Sequence, residues 1–493
     1  ISNRLKLILP DIISAEQSAF VLGRLITDNI ICAYECLHFM KRSRSEDNSF
    51  CSLKLDMMKA YDRLEWPYLR AIMVKLGFTE RWVDIVMGLV TTVQFSIMFN
   101  GKRLDEFKPS RGIRQGDPIS PYLFLLCAEG LSCLLQKKEE SRELKGIRNG
   151  KRGPSTSHLL LADHSMFFTR EDNRSVNALK SALHTYCDGS GQRINMQKSS
   201  IFFGKGCRDA DKVMLKQAIG ITSEALSERY LGLPTLVGRS KEGTFKYVRE
   251  SSTSKVSGWK GQELSKAARE ILIKSGLQST PTYTMSCFQL TKKMCGNLSS
   301  ISLNFWWDAV NGERKVHWVS WEKMCAPKRE GSLGFWDPQA FNQALLAKQA
   351  WRLLTSPASL VARFLKARYF QDSSILAATC PSNASYTFRS ILHGRDLPRE
   401  GLVWRIGDGS RVNIHHENWI PRNRCLRPLG QQYLQGVTRV ADLLTEDGTD
   451  WNVARVDEMF SPSDAADIKQ IAVGGPGTDD FLAWNFTKNG IFS

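Results

Sequence analysis

Two short runs of alternating polarity constrain this chain more than anything else in it. In Cys51-Ser-Leu-Lys-Leu-Asp56 the apolar Cys51, Leu53 and Leu55 alternate with Ser52, Lys54 and Asp56. A strand here buries the first set and carries Asp56 on its polar side, at its end. In His158-Leu-Leu-Leu-Ala-Asp-His-Ser-Met-Phe-Phe168 two apolar arms flank a short polar centre, which reads as a tight hairpin with Asp163 at its tip. If these strands are neighbours in one sheet, two aspartates more than a hundred positions apart meet. Such a pair suits divalent cations, because hard ions take oxygen ligands and leave room for phosphate oxygens. Two ions roughly 3.5 to 4 Å apart serve an in-line displacement at phosphorus, which makes nucleotidyl transfer the natural reaction. A strand-end aspartate taken alone is ordinarily a cap or turn residue, so the surroundings decide.

Those surroundings alternate strand-like and helix-like patterns up to about residue 205. Trp66-Pro67 opens a helix that stops at Gly77. Val93 to Phe99, the turn Asn100-Gly101 and Lys102 to Phe107 form a hairpin signal. A Gly- and Pro-rich loop, Arg111 to Pro121, leads into an apolar helix to about Gln136, with Ser120 and Pro121 suited to its start. Val176, Leu179, Leu183 and Tyr186 share one helical face, ended by Gly189 and Gly191, and a short strand covers Ser200 to Phe203. From about 210 to 370 long helical periodicity takes over, in Lys212 to Ile219, Leu264 to Leu277 and Phe341 to Leu354. The Trp-bearing segments between them (Phe305-Trp-Trp307, His317 to Trp321, Phe335-Trp336) read as core more than as base-stacking platforms.

The 67 Lys and Arg against 50 Asp and Glu give a net charge of +17. The excess is uneven, since residues 441–480 hold ten acidic side chains against two basic ones, a solvated acidic face. A surface so biased attracts polyanions, nucleic acid above all. The apolar stretches Ile85 to Phe99 and Tyr122 to Leu135 are interrupted and too short to span a bilayer, so no membrane partner is expected. The twelve cysteines form no C-x-x-C pair, which predicts reduced, mostly buried thiols in an intracellular protein and no zinc knuckle. The chain opens inside a basic amphipathic run, Ile1 to Ile13, and stops at Gly490-Ile-Phe-Ser493, so both ends read as cut from something longer.

Leu55-Asp56-Met-Met-Lys59-Ala60-Tyr61-Asp62-Arg63 resembles the first palm motif of the reverse transcriptases of plant non-LTR (LINE-type) retrotransposons. Arg111 to Pro121 resembles the second, Leu161-Ala162-Asp163-His164 stands where the family has an aromatic-Ala-Asp-Asp box, and Ile194-Asn195-Met-Gln-Lys198-Ser199 is similar to the next motif. Glu16-Gln17 through Gly23-Arg24 resembles the fingers motif, Tyr230-Leu-Gly-Leu-Pro234 the primer grip, and Gly334 to Trp351 the thumb and its extension. The resemblance implies an α+β right-hand polymerase with fingers, a palm of antiparallel sheet and helices, a helical thumb and a mainly helical C-terminal extension. The expected divisions are partial fingers at 1–50, palm with fingers elements at 51–205, primer grip and helical thumb at 206–300, a Trp-rich helical extension at 301–370 and a partly irregular linker at 371–493. It also implies an RNA-directed DNA polymerase acting in the nucleus on an RNA template, a DNA primer and deoxynucleoside triphosphates, with two Mg²⁺ ions and Mn²⁺ as an alternative. By position, Asp56, Asp163 and the Met57 carbonyl would ligate metal. Tyr61 would exclude a 2′-hydroxyl, and Gln115 and Gly116 would line the nucleotide pocket. Lys198 would neutralise pyrophosphate, Arg24 would contact triphosphate or template, and Tyr230, Leu231 and Gly232 would grip the primer.

Two features depart from the family pattern. The metal box ends in His164 where relatives carry a second carboxylate, and imidazole is a poor ligand for Mg²⁺. This predicts a weak or dead polymerase, with a nucleic-acid-binding remnant of the same fold as the alternative and a basic helical scaffold as a third reading. Ile414-His415-His416-Glu417-Asn418-Trp419 suggests metal ligands at first sight, but adjacent residues of an extended segment point to opposite faces, so it reads as surface drift. No endonuclease domain is recognisable before residue 1, and no ribonuclease H or Cys-rich tail after residue 493, which predicts a truncated copy.

Overall fold

The computed structural model describes residues 1–43, 49–150, 152–224, 229–259, 264–307, 316–423, 425–430, 432 and 434–492. They divide into two compact units. The first comprises Ile1–Tyr247, Ala358–Ser373 and Thr379–Phe388; the second comprises Val248–Pro357, Ser374–Ala378 and Arg389–Ser493. The boundary near 205 expected from periodicity therefore moves to Tyr247, and residues 358–370 of the expected helical extension, with 371–373 of the expected linker, belong to the first unit.

In chain order the first unit runs α1 (Ser2–Ile12), α2 (Ile26–Arg42), β1 (Phe50–Asp56), α3 (Trp66–Lys75) and α4 (Glu80–Thr91). There follow β2 (Met98–Phe99), β3 (Lys102–Arg103), α5 (Ser120–Glu140), β4 (Ile147–Arg148), β5 (Ser155–Thr156), β6 (His158–Leu161) and β7 (His164–Arg170). Then come α6 (Asn173–Ser190), β8 (Ser200–Phe203), α7 (Asp209–Ile219), β9 (Arg229–Tyr230) and β10 (Leu233–Pro234). Four antiparallel strands form the central sheet in the order β6-β7-β1-β8. β1 lies inside it, hydrogen-bonded on both edges. Cys51, Leu53 and Leu55 are buried as their alternation requires, together with Leu123, Leu126, Leu131, Leu179 and Tyr186 of α5 and α6. Leucines and β-branched residues along those helices supply the apolar stripe that one sheet face needs. The other face is not solvated. Ser52, Met166 and Phe168 are also buried, because α2 packs on that side.

The hairpin at Asn100-Gly101 forms, but its strands are two residues long and exposed. Much of the apolar stretch before it is α4, whose N-cap Thr79 accepts from the Trp82 N–H. That helix was masked in the sequence by its continuity with the strand signal. α6 stops on Gly191 at φ +76, while Gly189 lies inside the helix. All twelve cysteines are unbridged, and among the described residues no helix is long and apolar enough to cross a membrane.

A buried carboxylate ties the later segments into the first unit. Glu35 of α2 is fully buried and accepts from Tyr369 Oη at 2.7 Å and from Ser385 Oγ. Arg368 lies 3.6 Å from it and also donates to Asn149 Oδ1 at 2.9 Å. Burial raises the Glu35 carboxyl above its ordinary pKa, opposed by the Ser385 hydrogen bond and the Arg368 charge.

The second unit contains the helices Lys292–Trp307 and Pro338–Thr355 and a helix at Lys266–Leu272 that widens into a π turn at Ile273–Leu277. Trp306, Trp321 and Phe335 are buried together, as the burial tendency of tryptophan predicts, whereas Trp318 is exposed. Residues expected to be partly irregular hold a core of their own around Trp419, Val440, Trp451 and Ile468. Its Gly-rich loop is organised by buried Asp480, which accepts from the N–H groups of Gly407, Gly409 and Arg411. His415 and His416 donate their main-chain N–H groups to Asn413 Oδ1, a turn rather than a ligand set.

Two stability measurements follow. β6 and β7 are joined by the two-residue turn Ala162-Asp163, and Ala162 sits at φ +52, where an L side chain costs about 1–2 kcal/mol. Ala162→Gly is expected to raise unfolding stability in urea by up to about 1 kcal/mol, and a loss would contradict the turn geometry. Glu35→Ala leaves Tyr369 and Ser385 without their acceptor and Arg368 without its counter-charge, and is expected to cost about 3 kcal/mol; an unchanged urea midpoint would contradict this clamp.

Candidate functional site

The ladder between β1 and β7 runs from Phe50 opposite Arg170 to Asp56 opposite His164. Residues directly opposite share a face, so Asp56 and His164 project together at the sheet's end. His164 Nδ1 lies 4.0 Å from Asp56 Oδ1. Asp163 precedes His164 in the turn, so the register brings the two aspartates to the same end of neighbouring strands. Asp56 and Asp163 are half-buried and His164 is exposed, which leaves this end open to solvent.

Several hydrogen bonds fix the end of β1. The Asp56 carbonyl accepts from Asn195 N–H at 2.8 Å, and Met58 N–H donates to the Arg193 carbonyl at 2.8 Å. Asp56 N–H donates to Ser199 Oγ at 3.4 Å, and that hydroxyl donates to the Asn195 carbonyl at 2.7 Å. Met57 bridges to Ile194. The loop carrying Lys198 is thereby bound to the backbone of Asp56, with the Lys198 side chain exposed.

Tyr61 lies on the turn that follows. Its ring stacks on Phe124 with centroids 5.3 Å apart, and its carbonyl accepts from Ile113 N–H at 2.9 Å. Burial, and second the negative charge of Asp163, raise its hydroxyl pKa, which puts Tyr61 in the field of that aspartate. The Ile113 loop depends on Gly112, which has φ +89 and where a Cβ would stand 2.9 Å from the Asp62 carbonyl oxygen. Gln115 is exposed and lines a cavity of about 440 Å³ with Asp62, Arg111 and Arg114. Asp56, Asp163 and Gly116 are not among that cavity's walls. Gly116 has φ +93 and open space around it.

Arg24 is placed differently from the expectation. Its guanidinium donates to the carbonyls of Ser14 at 2.5 Å, Ile13 at 2.7 Å, Gln17 at 2.8 Å and Pro10 at 3.2 Å. It holds the chain leaving α1, and those bonds occupy the donors that a triphosphate or template would need. In the primer-grip segment, Tyr230 is buried, so its ring packs inward. Leu231 and Gly232 form the turn between β9 and β10, at φ +49 and +82, and Lys54 Nζ donates to the neighbouring Arg229 carbonyl at 3.3 Å.

Gln17 and Asn29 position the hairpin, a role the sequence reading missed. Gln17 Oε1 accepts from Ala162 N–H at 3.1 Å, Asn29 Nδ2 donates to the Leu160 carbonyl at 2.6 Å, and Ser18 Oγ donates to Asn29 Oδ1 at 2.6 Å. The available signal was an amide, Asn29, followed directly by the apolar Ile30-Ile31-Cys32-Ala33 of the same helix. Among the described residues no cluster of three or more His, Cys, Asp or Glu side chains is arranged to hold a metal. Asp56, Asp163 and His164 at the strand ends do not make such a cluster, and their fit to a metal rests on side-chain type alone. The carboxylates suit a hard divalent cation, and the imidazole does not add to that preference.

The reverse transcriptase (RNA-dependent DNA polymerase) family profile matches residues 1–235. The chain is 44% identical over 150 residues to an uncharacterized mitochondrial protein of Arabidopsis thaliana, covering 30% of this chain and 97% of that protein. It is 32% identical over 268 residues to a putative ribonuclease H protein of the same plant, covering 53% of this chain and 43% of the relative. It is 27% identical over 339 residues to an uncharacterized 149 kDa protein of transposon TX1 from Xenopus laevis, covering 68% of this chain and 24% of the relative. The chain thus spans less than half the length of these two longer relatives. With Asp56 and the Asp163 turn at one end of an antiparallel sheet and the surrounding motifs in order, the chain belongs to the reverse transcriptase family, in its non-LTR, LINE-type form.

Proposed function

We propose that this chain is the catalytic part of an RNA-directed DNA polymerase whose activity with Mg²⁺ is weakened by His164. The observation that carries the reading is the pairing of Asp56 with His164, Nδ1 to Oδ1 at 4.0 Å, with Asp163 one residue away. Asp56, Asp163 and the Met57 carbonyl would hold the divalent cations. Bound there, Mg²⁺ supplies a more acidic primer 3′-hydroxyl and neutralises charge on the transferred phosphoryl and its leaving group. Tyr61, steadied by Phe124, forms the floor under the incoming sugar and excludes a 2′-hydroxyl by bulk. Gln115 and Gly116 face the nucleotide, where an amide can hydrogen-bond and a glycine allows close backbone approach. Lys198, on the loop bound to Asp56, neutralises pyrophosphate. The main chain at Leu231-Gly232 holds the primer, with Tyr230 as the buried anchor of that turn. RNA template, DNA primer and deoxynucleoside triphosphates are the partners, and action in the nucleus belongs to the same proposal.

Loss of one carboxylate charge decides how active the site is. At about 4 Å and an effective dielectric of 20, one charge pair is worth about 4 kcal/mol, roughly three decades of rate if felt only in the transition state. His164→Asp is therefore expected to raise Mg²⁺-dependent primer extension on an RNA template by about 100-fold or more, and to narrow the gap between Mn²⁺ and Mg²⁺ rates. Equal Mg²⁺ rates for the two proteins would refute the impairment. Asp56→Ala and Asp163→Ala are each expected to abolish extension in the His164→Asp background; persistence in either would remove that aspartate from the site.

A second reading, a nucleic-acid-binding remnant that no longer polymerises, is favoured by the same histidine. It predicts binding of an RNA–DNA hybrid that falls steeply with salt and no extension even after His164→Asp. The same substitution also carries a stability signature. It sets two carboxylates side by side, so the metal-free His164→Asp protein is expected to lose about 1 kcal/mol at this solvent-facing position and to regain it when Mg²⁺ is added. A Tm unaffected by either change would contradict the proximity of the two side chains.

A further inference from the structure

At the opposite end of β7 from His164 lies a groove of about 550 Å³. Seven strand residues separate the two ends, about 20 Å at 3.3 Å per residue, so this groove is distinct from the strand-end carboxylates. Arg142, Lys145, Arg148 and Arg170 line it. The first three are exposed, and among the described residues none of them makes an ion pair; Arg170 has a long one with Asp172, at 3.7 Å. The single acid of the wall, Glu139, is held by Ser155 Oγ at 2.6 Å and Ser157 Oγ at 2.9 Å. One side is aromatic, with half-buried Phe39 edge-on to Phe50 at 6.2 Å. The floor needs Gly146, because a Cβ there would stand 2.6 Å from the Thr156 carbonyl carbon and 2.7 Å from Glu139 Oε1.

Cations just beyond a helix end ordinarily complement its carbonyls, and that accounts for Arg142, which follows α5. It does not account for Arg148 on β4 or Arg170 on β7. Four cations around a cleft with one aromatic wall suit a chain of phosphates whose bases are free to stack. A duplex hides its base faces, so the fit is to a single strand.

We infer that this groove is a second nucleic-acid site, which binds single-stranded RNA outside the template–primer track. The inference rests on the reading of the chain as an RNA-dependent polymerase, and its test separates the two. Binding of the full chain to a fluorescent 20-nucleotide single-stranded RNA and to an RNA–DNA hybrid is measured by anisotropy between 50 and 200 mM salt. In the triple variant Arg142→Gln, Lys145→Gln, Arg148→Gln, single-strand affinity is expected to fall about 10-fold or more, and the slope of log affinity against log salt to shrink by about 2, from three lost phosphate contacts. Hybrid affinity is expected to stay within about twofold. The corresponding variant with lysine at positions 142 and 148 is expected to bind as the natural protein does, which separates loss of charge from loss of fold. Unchanged single-strand binding in the glutamine variant overturns the inference alone. An equal loss for the hybrid also overturns it, by assigning the groove to the template–primer track. Failure of the natural protein to bind either nucleic acid overturns both this inference and the reading beneath it.

Discussion

The register of β1 against β7 is the constraint on which the site depends. Side chains alternate across a strand with a period of two, so a slip of one residue would send Asp56 to the face packed on α5 and α6 and Leu55 to the open end. The ladder is set by Leu53 opposite Phe167 and Cys51 opposite Thr169, with Cys51, Leu53 and Phe167 sealed under α5 and α6. Burial of these side chains, worth roughly 1.5–3 kcal/mol for each large one, therefore specifies where the carboxylates stand. The site inherits its precision from the core rather than from contacts of its own.

The other side of the hairpin is held by polar groups. Gln17 and Asn29 engage main-chain groups at Leu160 and Ala162, and Arg24 secures the segment carrying Gln17 through four carbonyls. The segment from Gln17 to Asn29 thus acts as a brace for the Ala162-Asp163 turn. A buried amide that loses its partner leaves an unsatisfied group costing about 1–3 kcal/mol, so these residues are positioned as firmly as the apolar ones.

Much of this was legible in the sequence because it follows from period and from local chemistry. The alternation of Cys51 to Asp56, the polar tip at Asp163 and the glycine at 191 each state their structure directly. What was not legible depended on contacts between distant segments. α4 was hidden because its apolar residues run on, with only short polar interruptions, into the strand signal. Arg24 and Tyr230 carry residue types that suit ligand contacts, but the first is taken up by carbonyls and the second is packed inward. The return of residues 358–373 to the first unit rests on Glu35, whose partners Arg368, Tyr369 and Ser385 lie more than three hundred positions away. No local pattern announces such a pairing. His164 is the reverse case: its departure from the family box was plain in the sequence, and the structure adds that it faces Asp56 directly, where a second carboxylate would repel the first.

The central claim is that Asp56 and Asp163 together bind a divalent cation. Mn²⁺ binding followed by electron paramagnetic resonance tests it without relying on turnover. The natural protein is expected to hold at least one Mn²⁺ in a site that is lost in Asp56→Asn and equally in Asp163→Asn. Mn²⁺ stoichiometry and affinity unchanged by either substitution would contradict it.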